Sequence, residues 1–422
     1  MFHKLFSLCC FLLLSTACSA GEPSAVSFMV FGDTTELAAY EALVAAYAEA
    51  NPAGLVNLQH VPSQSEYRQR LAAAFSSGAP PDVMLINYRR FASFAGQGGL
   101  EPLTDYLAGS TAIAAGDFFP LALDSFQWQG DLWCIPQNIS SLVVYYNRDL
   151  FAASSVPFPT EGWTWTDFLA AAQALTRDTD GDGRIDQYGA GLSPSLFRLA
   201  PFIWQNGGRL VDDNLQPTRL TLDEPAAFDA FLWFVDLQVQ HGVVPDAVAE
   251  TAESAENRFL NGSLAMMFNS RRGVPTYRTI ESFTWDVAPL PQGRRPAGIL
   301  HSDGYCLAAA SQNKAAAWDF IEYANSPAGQ TIVAQSGRTV PSLVSVADSP
   351  AFLNPDLPPA NSRVFVDTIP LLDRVPIMDN WIAIEETAGA EIARAFYGQV
   401  TVEEAIQAIQ QRTQRYFTGS AP

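Results

Sequence analysis

Basic side chains, histidine and cysteine are scarce in this 422-residue chain, and no long apolar run follows its first residues. Lys and Arg number 24 against 44 Asp and Glu, a formal charge of −20. A nucleic-acid surface needs clustered positive charge, so that partner class is excluded, and the acidity reads as an aid to solubility. The four histidines, His3, His60, His241 and His301, form no HExxH motif, and no Ser/His/Asp pattern is present. The five cysteines are Cys9, Cys10, Cys18, Cys134 and Cys306. Two of them beyond the N-terminal segment are too few for a disulfide-stapled fold, so a large apolar core must supply the stability. Past that segment nothing approaches the ~20 uninterrupted apolar residues of a transmembrane helix. Internal repeats, low-complexity blocks and long linkers are also missing, and a chain of this length most naturally makes two domains.

What is present begins with an export signal. Residues 1–17 combine Lys4, an apolar run from Leu5 to Leu14, and the small residues Ser15, Thr16 and Ala17. The Thr16-Ala17-Cys18 sequence resembles a bacterial lipobox, with Ser15 where Leu is usual. It implies lipidation of Cys18 after cleavage, residues 18–24 serving as a lipidated cysteine and short tether. The expected location is outside the cell, either lipid-anchored on the outer face of the cytoplasmic membrane or periplasmic. In that oxidising compartment Cys134 and Cys306 either pair or stay as buried thiols.

Periodicity predicts β-α-β-α-β at the start. Val26 to Phe31 reads as a buried strand, and Leu37, Tyr40, Val44 and Tyr47 fall at helical spacing behind it. Asp33 and Glu36 have the offset of a capping box. Leu55 to Val61 and Val83 to Asn87 read as strands around a helix near Ser65 to Ser76. Leu132 to Pro136 and Leu142 to Asn147 are strand-like runs broken by Gln137 to Ser141, a polar interruption that suits a crossing between domains. Helices and strands alternate again to Leu264–Asn269, and strand character returns at Trp285 to Pro291 and Gly304 to Ala310. A helix over Asn313 to Asn325 follows, and Ser326-Pro327 suits the start of another. The tail is helical over Asn380 to Phe396 and Thr401 to Phe417, Thr401 and Glu404 forming a second capping-box pattern. The expected fold class is α/β, with sheets covered by helices.

Several stretches together carry a resemblance. They are Ala79-Pro80-Pro81-Asp82-Val83, Gly130-Asp131-Leu132-Trp133-Cys134-Ile135-Pro136, Tyr145-Tyr146-Asn147-Arg148-Asp149-Leu150-Phe151 and Trp163-Thr164-Trp165-Thr166-Asp167-Phe168. Gly207-Gly208 after Trp204, Phe259-Leu260-Asn261-Gly262-Ser263-Leu264-Ala265-Met266 and Ala317-Trp318-Asp319-Phe320-Ile321 extend it. In this order and spacing the chain resembles the family 1 extracellular solute-binding proteins, the maltose, multiple-sugar and glycerol-3-phosphate receptors of bacterial ABC importers. The resemblance implies a two-lobed periplasmic-binding-protein (Venus-flytrap) fold of type II. Lobe one would hold residues 25–137 plus 289–332, and lobe two residues 138–288 plus 333–422. The expected function is capture of a mono- or oligosaccharide between the lobes by a monomer, with hinge closure at Gln137 to Ser141 and Asp286 to Pro289 and delivery to the permease subunits. No cofactor is implied.

Loops at strand ends are where ligands meet such sheets. Gly32, Asp33 and Thr34 follow the first strand, Asp33 also being placed to cap its helix. Asn87 and Tyr88 follow the third strand, beside Arg89 and Arg90, and Gln137 and Asn138 lie at the crossing. In the second lobe the candidates are Trp204, Asn269, Arg271 and Arg272, and at the return strand Ser302, Asp303 and Tyr305. Sugars take aromatic faces against C–H groups and amides or carboxylates against hydroxyls. Of the nine tryptophans, Trp204 and Trp381 are the stacking candidates, whereas Trp163 and Trp165 read as structural.

Asp178, Asp180, Asp182 and Asp186 have the spacing of a calcium loop, but Gly189 stands where a bidentate Glu is needed. They are read as an acidic turn, with structural calcium as the alternative. Two rival functions remain. One keeps the fold and binds a polyol phosphate such as glycerol 3-phosphate through Arg271 and Arg272. The other is an exported carbohydrate-active enzyme, for which no catalytic residue is assigned.

Overall fold

The computed structural model describes residues 25–417. The expected export signal, Cys18 and the whole tether to residue 24 lie outside the described residues. Nine strands build two sheets, and they are β1 (Val26–Phe31), β2 (Val56–Val61), β3 (Val83–Asn87), β4 (Cys134–Pro136), β5 (Leu142–Asn147), β6 (Tyr188–Gly191), β7 (Leu264–Ser270), β8 (Trp285–Ala288) and β9 (Asp303–Leu307). The first sheet has the order β2-β1-β3-β9-β4 and the second β8-β5-β7-β6. Strands β1, β2 and β3 are parallel, as the β-α-β-α-β reading requires, and β9 joins antiparallel to β3 and β4.

Local sequence sets the helix starts. Asp33 accepts from the amides of Thr35 and Glu36 and caps the helix Thr34–Ala50. The reciprocal half of that capping box does not form, because the Glu36 carboxylate turns to Arg338. At Thr401 the box is complete: Thr401 N donates to Glu404 and Glu404 N to the Thr401 hydroxyl. Ser326 caps Pro327–Gln335. Among the described residues no helix is long and apolar enough to cross a membrane.

Each sheet is sandwiched by aromatic packing. Phe28 of β1 meets Tyr40, Tyr305 and Phe320 with ring centroids 4.9 to 5.8 Å apart. Phe268 of β7 meets Phe168 and Phe202 at 5.2 and 5.9 Å. Trp163 and Trp165 are structural: one donates to the Pro289 carbonyl, and the other stacks on Trp233 at 4.3 Å. Cys134 and Cys306 are register partners on β4 and β9, fully buried, and form a disulfide.

The chain passes between the sheets through residues 137–141 and returns through the segment before β9. Ser140 bridges antiparallel to His301, and Asn138 to Pro341, so three strands of chain lie side by side at the junction. The expected second hinge at Asp286 to Pro289 is corrected here. Asp286, Val287 and Ala288 are paired with Tyr146, Tyr145 and Val144 inside the second sheet, so the return crossing is the segment at His301. The helix Trp381–Phe396 packs on Leu196–Gln205 and Pro225–Val239, on the side of the second sheet.

Candidate functional site

A cavity of 260 Å³ lies between the two sheets and is walled from both. Asn87 and Asp303 reach it from neighbouring strand ends of the first sheet, Asn269 and Ser270 from the end of β7, and Asn138 and Ser140 from the crossing. A second chamber of 260 Å³ adjoins it, shares Phe31, Gln64, Arg68, Asn87 and Asp303, and is otherwise largely apolar through Tyr67, Leu71, Phe94 and Ile382. One chamber thus offers hydrogen-bonding groups and the other C–H and ring surface, the pairing a carbohydrate demands.

The polar wall is pre-organised. Asn87 Nδ2 donates to Asp303 Oδ1 at 3.1 Å, and Arg89 Nε donates to Asn87 Oδ1 at 3.0 Å. Asp303 N donates to Asn138 Oδ1 at 3.1 Å, and the Ser302 hydroxyl to the Asn138 carbonyl at 2.7 Å, fastening the crossing to β9. Asn269 Nδ2 donates to the Tyr277 hydroxyl at 2.6 Å, which in turn donates to Glu256. Arg338, 5% exposed as a residue, is paired with Asp33 and Glu36.

Electrostatically the wall is unusual for so acidic a chain. Arg68, Arg89, Arg198, Arg272 and Arg338 line it with only Glu36 and Asp303 as acids. Burial pushes Arg198 down to about 10, which leaves it charged at neutral pH. Burial, then the Arg198 and Arg89 charges, holds His301 well below the usual histidine range, so its ring is neutral. Burial raises Glu36 to about 7 against the opposing pull of Arg338.

Of the residues named from sequence, Asn87, Asn138, Asn269, Arg272 and Asp303 come together in this wall. Asp33 sits at its edge through Arg338. The others are packed elsewhere. Gly32 shapes the turn: at φ 150° it carries no Cβ, which would lie 1.8 Å from Glu36 Oε2. Thr34 is exposed at the helix start. Tyr88 is buried in the core. Gln137 donates to the Tyr40 and Tyr305 hydroxyls at 3.0 and 2.9 Å, which spends both side chains at positions 137 and 305 on the interior. Ser302 is buried behind Asn138.

Arg271 points away from the cavity, its Nε on the Gly337 carbonyl at 2.7 Å and its guanidinium 4.6 Å from the Phe352 ring. The Arg271–Arg272 pair therefore forms no joint clamp, because the two are successive residues of a 3-10 turn, roughly 120° apart around its axis. Trp204 and Trp381 are buried, and Trp381 Nε1 donates to Glu385 at 3.1 Å; neither ring lines a chamber. The aromatic rings that do are Phe31, Tyr67, Phe94 and Phe197, with the His301 imidazole.

Sequence reasoning did not single out Glu36, Arg68, Arg198 or Arg338 for the site. Arg68 and Arg198 sit on helices where a charged residue reads as a solvated face, and no local pattern marks Arg338. Arg89 and His301 carried the one available signal, their place beside strand ends.

At the acidic turn the carboxylates of Asp178, Asp180 and Asp186 have oxygens within 4.8 Å of one another, and Asp182 stands outside that group. Asp178 accepts from the amides of Gly181 and Gly183, and Asp186 from the amide and hydroxyl of Thr179, so the turn's own donors occupy these oxygens. None of the four lines either chamber.

The model of the bacterial extracellular solute-binding protein family matches residues 31–331. A putative binding protein of Brucella abortus (strain 2308) is 22% identical over 367 residues, spanning 85% of each chain. A mannitol-binding protein of Pseudomonas aeruginosa is 24% identical over 371 residues, spanning 82% of this chain and 83% of its own. Among solved structures, an ABC substrate-binding protein from Listeria monocytogenes in complex with cycloalternan superposes with a TM-score of 0.85 at 22% identity, covering 94% of this chain and 99% of the other. The fold is thus the expected two-lobed α/β one.

Proposed function

Since the chain belongs to the bacterial extracellular solute-binding proteins, we propose that it is the receptor of an ABC importer, capturing a carbohydrate between its lobes and presenting it to the membrane permease. The observation that carries this reading is the convergence of side-chain amides from both sheets and the crossing, Asn87, Asn138 and Asn269, on one enclosed polar chamber beside an apolar one. Amides serve hydroxyls, and the apolar chamber serves the C–H faces of a sugar ring. That the Pseudomonas relative is named for mannitol and the Listeria structure holds cycloalternan supports the same class.

In this reading residues 25–137 plus the chain from His301 to residue 332 are the core of one lobe, and residues 138–300 plus the C-terminal helices the core of the other, since Gln292 N donates to the Trp163 carbonyl and Arg295 N to the Gln205 carbonyl on the side of the second sheet. The short helices Val344–Ala347 and Pro350–Leu353 pack back toward Pro327–Gln335, so we set the later boundary after residue 353 instead of at 333. The lobes close around the three chain segments that meet at Asn138, His301 and Pro341. Binding needs no cofactor and no catalytic step. Export with lipidation at Cys18 would hold the receptor beside its permease.

A thermal-shift screen of the purified protein against neutral mono- and oligosaccharides, sugar alcohols and sugar phosphates tests the function. A ligand that binds only the folded state raises the melting temperature. Failure of every carbohydrate to do so, or turnover of an oligosaccharide by the pure protein, removes the reading.

A further inference from the structure

Resting on the carbohydrate-receptor reading, we infer that the ligand is an anionic sugar, one bearing a carboxylate or phosphate group that Arg68, Arg198 and Arg272 receive in the polar chamber.

The charge distribution is the starting point. The chain carries a formal −20, yet the chamber gathers five guanidinium groups, from the helix Gln64–Ser76, the end of β3, the helix Leu196–Gln205, the end of β7 and the segment after Gln335. Two of the five are already neutralised. Arg89 is paired with Glu385 and Arg338 with Asp33 and Glu36. Arg68, Arg198 and Arg272 have no carboxylate within ion-pair distance among the described residues. The acids of the wall do not answer them: Glu36 is held by Arg338, and Asp303 accepts from Asn87. Glu256, whose charge also acts on Arg198, accepts from the Tyr277 hydroxyl.

Burial turns this surplus into a demand. Arg198 Nη1, His301 Nε2 and Ser140 Oγ are all inaccessible and without a hydrogen-bond partner, and all three residues line this chamber. Buried polar atoms are ordinarily paired, and a buried charge without a counter-charge is the most expensive kind to leave. A neutral hydroxyl can accept from a guanidinium without compensating its charge. A carboxylate or phosphate oxygen does both, and guanidinium forks suit either group with two parallel bonds. The charge is also placed to bridge the lobes: Arg68 comes from the side of the first sheet and Arg198 and Arg272 from that of the second, so one anion between them would draw the lobes together.

Matched pairs test the inference by isothermal titration calorimetry on the purified protein. They are glucuronate against glucose, galacturonate against galactose, and glucose 6-phosphate against glucose, with acetate and inorganic phosphate as sugar-free anions. The expected result is an acidic member binding at least about 10-fold tighter than its neutral twin, the worth of one charged hydrogen bond. Whether the uronates or the sugar phosphate give that gap identifies the anionic group. Arg272→Gln, at an exposed position, should shrink the gap toward unity without moving the melting temperature of the unliganded protein, and Arg68→Gln should do the same. Arg198→Gln should also shrink it, and if that variant does not fold, the other two suffice. Equal or tighter binding of the neutral twins overturns the charge assignment and leaves the carbohydrate reading intact. Inorganic phosphate or acetate binding as tightly as the acidic sugar overturns it in favour of a plain anion site. No heat from any sugar, neutral or acidic, overturns both readings.

Discussion

Arg89 Nη1 lies 2.5 Å from Glu385 Oε1, joining the end of β3 in the first sheet to the helix Trp381–Phe396 beside the second. The same guanidinium covers the Phe197 ring at 3.9 Å, so one side chain spans the cleft by an ion pair and a cation–π contact. Both partners are mostly shielded, at 14% and 16% exposure, which keeps the pair from being the weak surface type. It therefore favours the closed arrangement of the lobes.

Glu385→Gln should shift the lobes toward the open form and weaken ligand binding by about 10-fold, the loss of one charged hydrogen bond. Small-angle scattering checks it: the variant without ligand should show the larger radius of gyration, and saturating ligand should restore the wild-type value. An unchanged radius and affinity would remove the latch.

Glu36 gives the protein a defined pH dependence. Its folded pKa of about 7 lies above the ordinary 4.5, because burial outweighs the attraction of Arg338 and Arg272. Folding thus favours the protonated carboxyl. The associated stability is fully present below pH ~4.5 and is lost as pH rises through ~7, by roughly 3 kcal/mol. Glu36→Gln should flatten this part of the curve, so the difference in unfolding free energy between about pH 5 and pH 8 shrinks relative to wild type. Chemical denaturation at the two pH values measures it.

The disulfide between Cys134 and Cys306 closes a loop with a sequence separation of 172 residues. Replacing both cysteines by serine should lower the unfolding free energy by about 2–5 kcal/mol, read as a lower denaturant midpoint. Ligand affinity should hold, because neither cysteine lines a chamber.

Gln137 holds two buried hydroxyls, those of Tyr40 and Tyr305. Gln137→Leu leaves both without that donor and should destabilise the fold by about 2 kcal/mol while changing ligand affinity little. A large affinity loss at unchanged stability would return Gln137 to the binding site.

Much of the fold was written in short-range pattern. The strands at Val26–Phe31, Val83–Asn87 and Leu142–Asn147, the cap at Asp33, the box at Thr401 and Glu404, and the crossing near Gln137 to Ser141 all follow from apolar period and cap chemistry within a few residues. The site was legible only where it coincides with strand ends, as at Asn87, Asn138, Asn269 and Asp303. Trp204 and Trp381 have the composition of stacking residues, but an indole's large apolar area is equally satisfied by a helix interface, and there the structure puts them.

By itself the sequence determined an α/β chain with strand-end loops rich in amides, because these depend on composition and on neighbours along the chain. Only the tertiary structure decided which arginines share a cavity. Arg68, Arg89, Arg198, Arg272 and Arg338 stand on five separate segments across some 270 residues of sequence, and each looks locally like a solvated charge. Their meaning is a matter of distance and desolvation. Closure of one sheet upon the other brings like charges together, buries Arg338, shuts Arg198 Nη1 away from water and leaves a place for a counter-charge.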